Sequence, residues 1–171
     1  MKKKGILILS ALAVFVLCVV VAAVFREKDV KASGEGKKTQ DISVITEGSS
    51  LVISTSEITE EATFIPVEVD GTQMEVIAVR GSSGEIRTAF NTCQICYGSG
   101  RGYYVQDGKF FVCQNCGNRF TVDDIEIKSG GCNPWPIFEE DKTVTDETIE
   151  ISYDFFVKSE DIFKNWKNQF K

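Results

Sequence analysis

Apolar positions beyond residue 48 fall in short alternating runs, a pattern typical of strands rather than helices. The runs 64–69 and 74–79 flank Asp70-Gly71. This pattern predicts a hairpin, because glycine tolerates the positive φ of a tight turn. Pro66 removes one hydrogen-bond donor from the first arm, which predicts an edge strand or a bulge at that position.

Two further predicted strands each lead directly to a cysteine. A strand predicted over residues 85–91 leads to Cys93. A second hairpin is predicted from residues 103–105 and 109–112, and its far arm leads to Cys113. Both Cys-x-x-Cys motifs of the chain are therefore expected to follow strands.

The C-terminal part predicts one more strand and one helix. Residues 147–155 alternate as in a half-buried strand. Ser159 is the predicted N-cap of the final helix, and Glu160 and Asp161 suit the positive end of its dipole. The apolar stripe of this helix, predicted to pack against the core, consists of Ile162, Phe163, Trp166 and Phe170.

The N-terminus carries the longest apolar run. Lysines at positions 2–4 precede an uncharged segment over residues 5–25, long enough at 1.5 Å per residue to cross a hydrocarbon core. The lysines predict an N-terminus inside and a domain outside. Cleavage after Val30-Lys-Ala32 is the alternative. We favour an uncleaved anchor, because a signal peptide has an apolar core of about 7–15 residues.

These patterns predict a mainly β, small α+β fold: antiparallel hairpins carrying two Cys-x-x-Cys turns, a C-terminal helix and one N-terminal transmembrane helix. Residues 1–26 are predicted to form a transmembrane signal anchor. Residues 27–47 are largely polar and are predicted to form a flexible linker. Residues 48–171 are predicted to form an extracytoplasmic, cysteine-rich metal-binding domain.

Charge narrows the class of partner. The chain has a net charge of −6, and residues 41–171 carry 11 basic against 22 acidic side chains. Nucleic-acid modules need a basic face to displace counterions from phosphates. The composition therefore argues against a nucleic-acid partner.

Five of the six cysteines fall between residues 93 and 132, and the chain has no histidine. Sixteen residues separate the pair Cys93 and Cys96 from the pair Cys113 and Cys116, a spacing typical of metal sites. The lack of histidine excludes His-ligated haem, Rieske centres, Cys₂His₂ fingers and the usual zinc hydrolases. All-thiolate ligand sets leave zinc, iron–sulfur clusters and copper(I).

Cys132 is a fifth thiol, placed in a Gly-Gly-Cys-Asn-Pro turn. Because four thiolates complete a structural zinc site, the fifth suggests a cluster ligand, a redox thiol or a partner for another cysteine. Paired cysteines outside a membrane are often oxidised, but the spacing and the odd number favour metal over disulfides. The residues alone leave zinc and iron–sulfur open. Eight aromatic residues around the motifs are interpreted chiefly as packing: Phe90, Tyr97, Tyr103, Tyr104, Phe110, Phe111, Phe120 and Trp135.

Four quoted segments carry a family resemblance. They are Arg-Thr-Ala-Phe-Asn-Thr-Cys-Gln-Ile-Cys at 87–96, Gly-Tyr-Tyr at 102–104, Cys-Gln-Asn-Cys at 113–116 and Gly-Gly-Cys-Asn-Pro-Trp-Pro at 130–136. Over about residues 48–157 the chain resembles the FtrD-like membrane iron–sulfur-containing proteins. The resemblance implies an iron–sulfur centre, and some members accompany ferrous-iron uptake systems with a permease. It maps the family's cysteine motifs onto Cys93, Cys96, Cys113, Cys116 and Cys132.

The sequence thus predicts a single-pass, membrane-anchored, extracytoplasmic iron–sulfur protein whose metal is held by four of the five cysteines. It is expected to transfer electrons or to be an accessory component of an iron uptake system, rather than a stand-alone enzyme. Its expected partner is an iron permease or a redox protein. A structural zinc-ribbon interaction module is the alternative. A thiol–disulfide oxidoreductase is a third hypothesis, which we rank lower because both motifs follow strands in Gly-rich turns.

Overall fold

The computed structural model describes residues 41–127 and 129–168. The predicted anchor, residues 1–26, lies outside these ranges, and no helix within them is long and apolar enough to cross a membrane. The strands are β1 (Ser43–Ile45), β2 (Ser50–Ser54), β3 (Thr63–Val69), β4 (Thr72–Arg80), β5 (Ile86–Cys93), β6 (Tyr104–Asp107), β7 (Phe110–Cys113), β8 (Arg119–Thr121), β9 (Pro134–Pro136), β10 (Thr143–Val144) and β11 (Thr148–Ser152). The α-helix within these ranges is α1 (Tyr153–Ser159), and 3-10 helices lie at Thr55–Glu57, Tyr97–Ser99, Val122–Asp124, Glu139–Asp141 and Glu160–Phe163.

β4 is the middle strand of a five-stranded sheet of order β1-β3-β4-β5-β9. Its neighbours pair with it in antiparallel fashion, whereas β1 runs parallel to β3. Residues 74–79 of β4 are all buried. Because successive side chains of a strand point to opposite faces, burial of six in a row means that both faces of the sheet are covered.

One face of the central sheet packs against a second sheet, of order β10-β11-β2, and against α1. Met74 and Val76 of β4 and Phe90 of β5 belong to this core. Ile151 of β11 and Phe156 of α1 complete it from the other side, and all five side chains are fully buried. This core holds most of the buried aliphatic residues of the described domain, so it fixes the sheet on which the cysteine site is built.

The other face of the central sheet carries the cysteines. Ile77 and Val79 of β4 join a second core that contains Cys93, Cys96 and Cys113. A third sheet, of order β6-β7-β8, contributes Tyr104 and Phe111 to this core. These three thiols are therefore part of a packed apolar interior and not of a loop lying on the surface.

The coarse part of the predicted fold class is confirmed: the described chain is mainly β, with antiparallel sheets and one short C-terminal helix, whereas the transmembrane helix stays a prediction. The first hairpin is confirmed as β3–β4, with Val69 paired to Thr72 across Asp70 (φ +48°) and Gly71 (φ +83°). The strand leading to Cys93 is β5, and β6–β7 is the second predicted hairpin.

The expectation of an edge at Pro66 is wrong for the strand as a whole but holds at the residue itself. β3 lies between β1 and β4, and its register with β4 continues through Pro66 opposite Glu75, so β3 is not an edge strand along its whole length and is not bulged at Pro66. The proline is tolerated because β1 pairs with β3 only from Val67 onwards. Pro66 therefore lies where β3 has no paired neighbour on the side of β1. The N–H that proline lacks would have had no partner in β1, so its absence costs no ladder hydrogen bond there.

The predicted start of the C-terminal helix is also wrong. The strand ends at Ser152, whose hydroxyl accepts a hydrogen bond from the N–H of Phe155 at 3.4 Å and caps α1. Ser159 instead ends α1 and donates its hydroxyl to the carbonyl of Phe155 at 2.9 Å. Packing explains why the helix begins at Tyr153 and not after Ser159: this start stacks the ring of Phe155 on that of Phe90, with ring centroids 5.7 Å apart.

The apolar stripe predicted for this region is partly seen. Ile162 and Phe163 are buried in the 3-10 helix Glu160–Phe163, and the ring of Trp166 packs on Phe163 at 5.5 Å. Phe170 lies outside the described residues. The division into anchor, linker and domain stays a prediction, and β1 already lies within the last residues assigned to the linker.

Candidate metal centre

The first Cys-x-x-Cys turn is built on the central sheet. Cys93 is the last residue of β5 and is fully buried, and Cys96 follows in a turn with 9% of its surface exposed. The N–H of Cys96 donates to the sulfur of Cys93 at 3.3 Å. Gly102 packs against this turn so closely that a Cβ there would lie 2.7 Å from the carbonyl carbon of Cys96. The turn therefore requires glycine at position 102.

The second Cys-x-x-Cys turn is built on the three-stranded sheet. Cys113 ends β7 and is buried, whereas Cys116 is exposed. The turn closes with two backbone hydrogen bonds, from Gly117 N–H to the Cys113 carbonyl at 2.8 Å and from Cys113 N–H to the Asn118 carbonyl at 2.9 Å. Gly117 has φ +73°, the left-handed conformation that glycine adopts at low cost.

The loop that carries Cys132 is attached to the first turn. The backbone N–H of Gln94 donates to the carbonyl of Asn133 at 3.1 Å. The side chain of Gln94 accepts from Gly130 N–H at 2.7 Å and donates to the carbonyl of Pro134 at 3.1 Å. Because these contacts lie on both sides of Cys132, they hold its half-buried thiol beside the first turn.

All five predicted site residues come together as free thiols. The sulfurs of Cys93, Cys96 and Cys132 lie within 4.8 Å of one another, and so do those of Cys96, Cys113 and Cys116. Cys96 belongs to both groups and joins them into one cluster. Soft thiolates are the donors that suit zinc, iron–sulfur clusters and copper(I), so this set fits an iron–sulfur centre chemically.

Burial and hydrogen bonding separate the pKa values of these thiols. Burial opposes ionisation of Cys93, but the Tyr104 hydroxyl and two backbone N–H groups outweigh it and lower its pKa. The pKa of Cys116 is lowered as well, because hydrogen bonds outweigh its desolvation. Desolvation and neighbouring thiols raise the pKa of Cys113 and Cys132 to about 12. The thiolate is the form that binds metal, so the hydrogen bonds at Cys93 and Cys116, one from each turn, favour that form.

A family comparison agrees with this chemistry. Residues 58–163 match the family described as membrane iron–sulfur containing protein FtrD-like. The chain belongs to the FtrD-like family. That family is iron–sulfur containing and membrane-associated by its description, and the cysteine cluster of this FtrD-like chain is able to bind metal. Searches of curated proteins and of solved structures gave no match.

Sequence reasoning gave the aromatic residues of this FtrD-like domain a packing role, which fits some of them. Phe111 and Phe120 pack in the core that holds the thiols, and the rings of Tyr97 and Trp135 meet edge to face at 6.0 Å. Phe90 belongs to the core on the other face of the central sheet. It therefore supports the fold beneath the site and does not line it.

Sequence reasoning assigned no polar role at the site to four residues near the cysteines. Gln94 holds the Cys132 loop, as described above, and Tyr104, Asn91 and Glu75 form a buried network beside Cys93. Glu75 is only 5% exposed, and burial raises its pKa even though Asn91 donates to it. The one available signal was an asparagine and a glutamate in strands that otherwise read as apolar, since buried polar groups need partners.

Proposed function

We propose that this FtrD-like chain is a membrane-anchored, extracytoplasmic iron–sulfur protein that transfers electrons or assists an iron uptake system. Four of the five thiols of Cys93, Cys96, Cys113, Cys116 and Cys132 would hold the centre. The observation that carries the proposal is the single cluster of five free thiols joined through Cys96. Family membership supports iron–sulfur over zinc as the group bound there.

An iron–sulfur centre supplies one-electron chemistry when it is bound. The chain's own residues create two unlike sides for it. Cys93 and Cys113 exclude water, being 0% and 1% exposed, while Cys116 is exposed at the surface. This asymmetry supports electron transfer, because a partner could approach Cys116 without disturbing the buried side.

The proposed setting is the outer face of a membrane. Residues 1–26 would anchor the chain with its N-terminus inside, residues 27–47 would act as the linker, and residues 48–171 would form the domain. The lysines before the apolar run and the membrane term in the family description support this topology. An iron permease or a redox protein is the proposed partner, and stand-alone catalysis is not proposed.

Anaerobic purification of the full chain in detergent tests the function. We expect iron and acid-labile sulfide in similar amounts, charge-transfer absorption in the visible, and an EPR signal on reduction or oxidation. Substitution Cys96→Ser should abolish all three, because Cys96 belongs to both sulfur groups. Cys18→Ser is the matched control: position 18 lies in the apolar run, so iron content should be unchanged. A colourless protein with stoichiometric zinc and no iron would overturn the proposal.

The alternative is a structural zinc module. The two Cys-x-x-Cys turns that follow β5 and β7 favour it, because together they supply the four thiols that a structural zinc ion needs. Zinc bound by Cys93, Cys96, Cys113 and Cys116 predicts that Cys132→Ser keeps both metal and fold. Zinc retained with unchanged stoichiometry after that substitution would favour this alternative over the iron–sulfur proposal.

A further inference from the structure

The hydroxyl of Tyr104 lies between two parts of the cysteine cluster. It donates its single proton to the carbonyl oxygen of Cys132 and lies beside the thiol of Cys93. The side chain is 1% exposed. An aromatic ring alone would fill the same space, so the buried hydroxyl is accounted for by its hydrogen bond to the Cys132 carbonyl and not by packing.

The main chain of Tyr104 is held by a second buried side chain. The N–H of Tyr104 donates to Asn91 Oδ1 at 2.6 Å, and Asn91 Nδ2 donates back to the Tyr104 carbonyl at 3.3 Å. Asn91 Nδ2 also donates to Glu75 Oε2 at 2.5 Å. Asn91 and Glu75 belong to β5 and β4, so the position of Tyr104 is set by the middle of the central sheet.

We propose that Tyr104 is a positioning residue whose hydroxyl holds the Cys132 loop, and with it the fifth thiol, against the first turn. The hydroxyl donates to the carbonyl of Cys132 itself, so loss of this bond would release the thiol of the same residue. This inference does not depend on which metal the cluster binds.

The test needs no iron. In the metal-free full chain, Tyr104→Phe should speed alkylation of Cys132 by about tenfold, because opening of the loop no longer breaks the bond to its carbonyl. Mass spectrometry of tryptic peptides separates Cys132 from the other thiols. Tyr103→Phe is the matched control: it removes the same atom from the adjacent residue, whose hydroxyl makes no hydrogen bond within residues 41–127 and 129–168, so its alkylation rate should equal that of the wild type.

A further replacement avoids loss of the hydroxyl. Incorporation of 3-fluorotyrosine at position 104 keeps the ring and makes its O–H a stronger donor, so Cys132 should be alkylated no faster than in the wild type. A wild-type alkylation rate in Tyr104→Phe would overturn the proposal, as would an equal acceleration in Tyr103→Phe. Binding of zinc and no iron by the wild type would overturn the proposed function alone, because the alkylation rate tests the position of Cys132 in either case.

Discussion

The two Cys-x-x-Cys turns share a spacing but differ in their surroundings. The first ends a strand of the central sheet, and both of its thiols are buried. The second ends a strand of the peripheral three-stranded sheet, and its last thiol is exposed. Local sequence thus sets the shape of each turn, whereas the sheet beneath it sets how much water and which neighbours each sulfur meets.

The glutamine after the first cysteine of each turn shows the same contrast. The backbone N–H of Gln94 and of Gln114 each donates to a carbonyl outside the turn, at 3.1 Å and 2.8 Å. Their side chains differ: Gln94 bonds Gly130 and Pro134 around Cys132, while Gln114 reaches only the nearby Val112 carbonyl at 2.9 Å. The fifth thiol therefore belongs structurally to the first turn.

The largest expected difference is between serine substitutions in the two turns. In the metal-free protein, Cys93→Ser should lower the free energy of unfolding by about 1–3 kcal/mol, because it puts a poorly satisfied hydroxyl in a fully buried site. Cys116→Ser should change it by less than about 0.5 kcal/mol, because position 116 is exposed. Urea unfolding followed by circular dichroism measures both, and equal losses would show that the two turns do not differ as described.

A smaller difference is expected between the two glutamines. Gln94→Ala removes two hydrogen bonds to the Cys132 loop and should lower the free energy of unfolding by about 1–2 kcal/mol. Gln114→Ala, the matched control, removes one local bond of an exposed side chain and should cost about 0.5 kcal/mol or less. Hydrogen exchange should rise around residues 130–133 in the first variant only. Unchanged exchange there would mean that Gln94 does not hold the loop.

Much of the fold could be predicted because its signals are local. Asp70-Gly71 marks the first hairpin by turn chemistry, and the runs before Cys93 and Cys113 mark strands by alternation. The helix start could not be predicted this way. Ser152 and Ser159 are both acceptable caps, and the choice between them depends on the stacking of Phe155 on Phe90, which lies more than sixty residues away in the chain.

The candidate site could likewise be predicted from the sequence only in part. Cysteine spacing predicted the two pairs, and the Gly-Gly-Cys-Asn-Pro turn and the family resemblance added Cys132 to the five thiols that the structure brings together. The residues around them depend on contacts between distant segments: Gln94 meets Pro134 across forty residues, and Tyr104 meets Cys132 across twenty-eight. Neither residue type signals such a role in a sequence, since glutamine is usually exposed and tyrosine usually packs.

The smallest expected effect concerns Glu75, which supports the first turn through Asn91. Burial raises the pKa of Glu75, so the folded state binds its proton more tightly than the unfolded state does. The free energy of unfolding should therefore fall as the pH rises from the unfolded pKa near 4.5 through the folded value, and level off above it. Glu75→Gln keeps an acceptor for Asn91 and should remove this part of the pH dependence. Glu68→Gln, on the neighbouring strand β3, is the control and should leave it in place. Urea unfolding of all three proteins between pH 4 and 8 measures the difference, and identical pH profiles for the wild type and Glu75→Gln would contradict it.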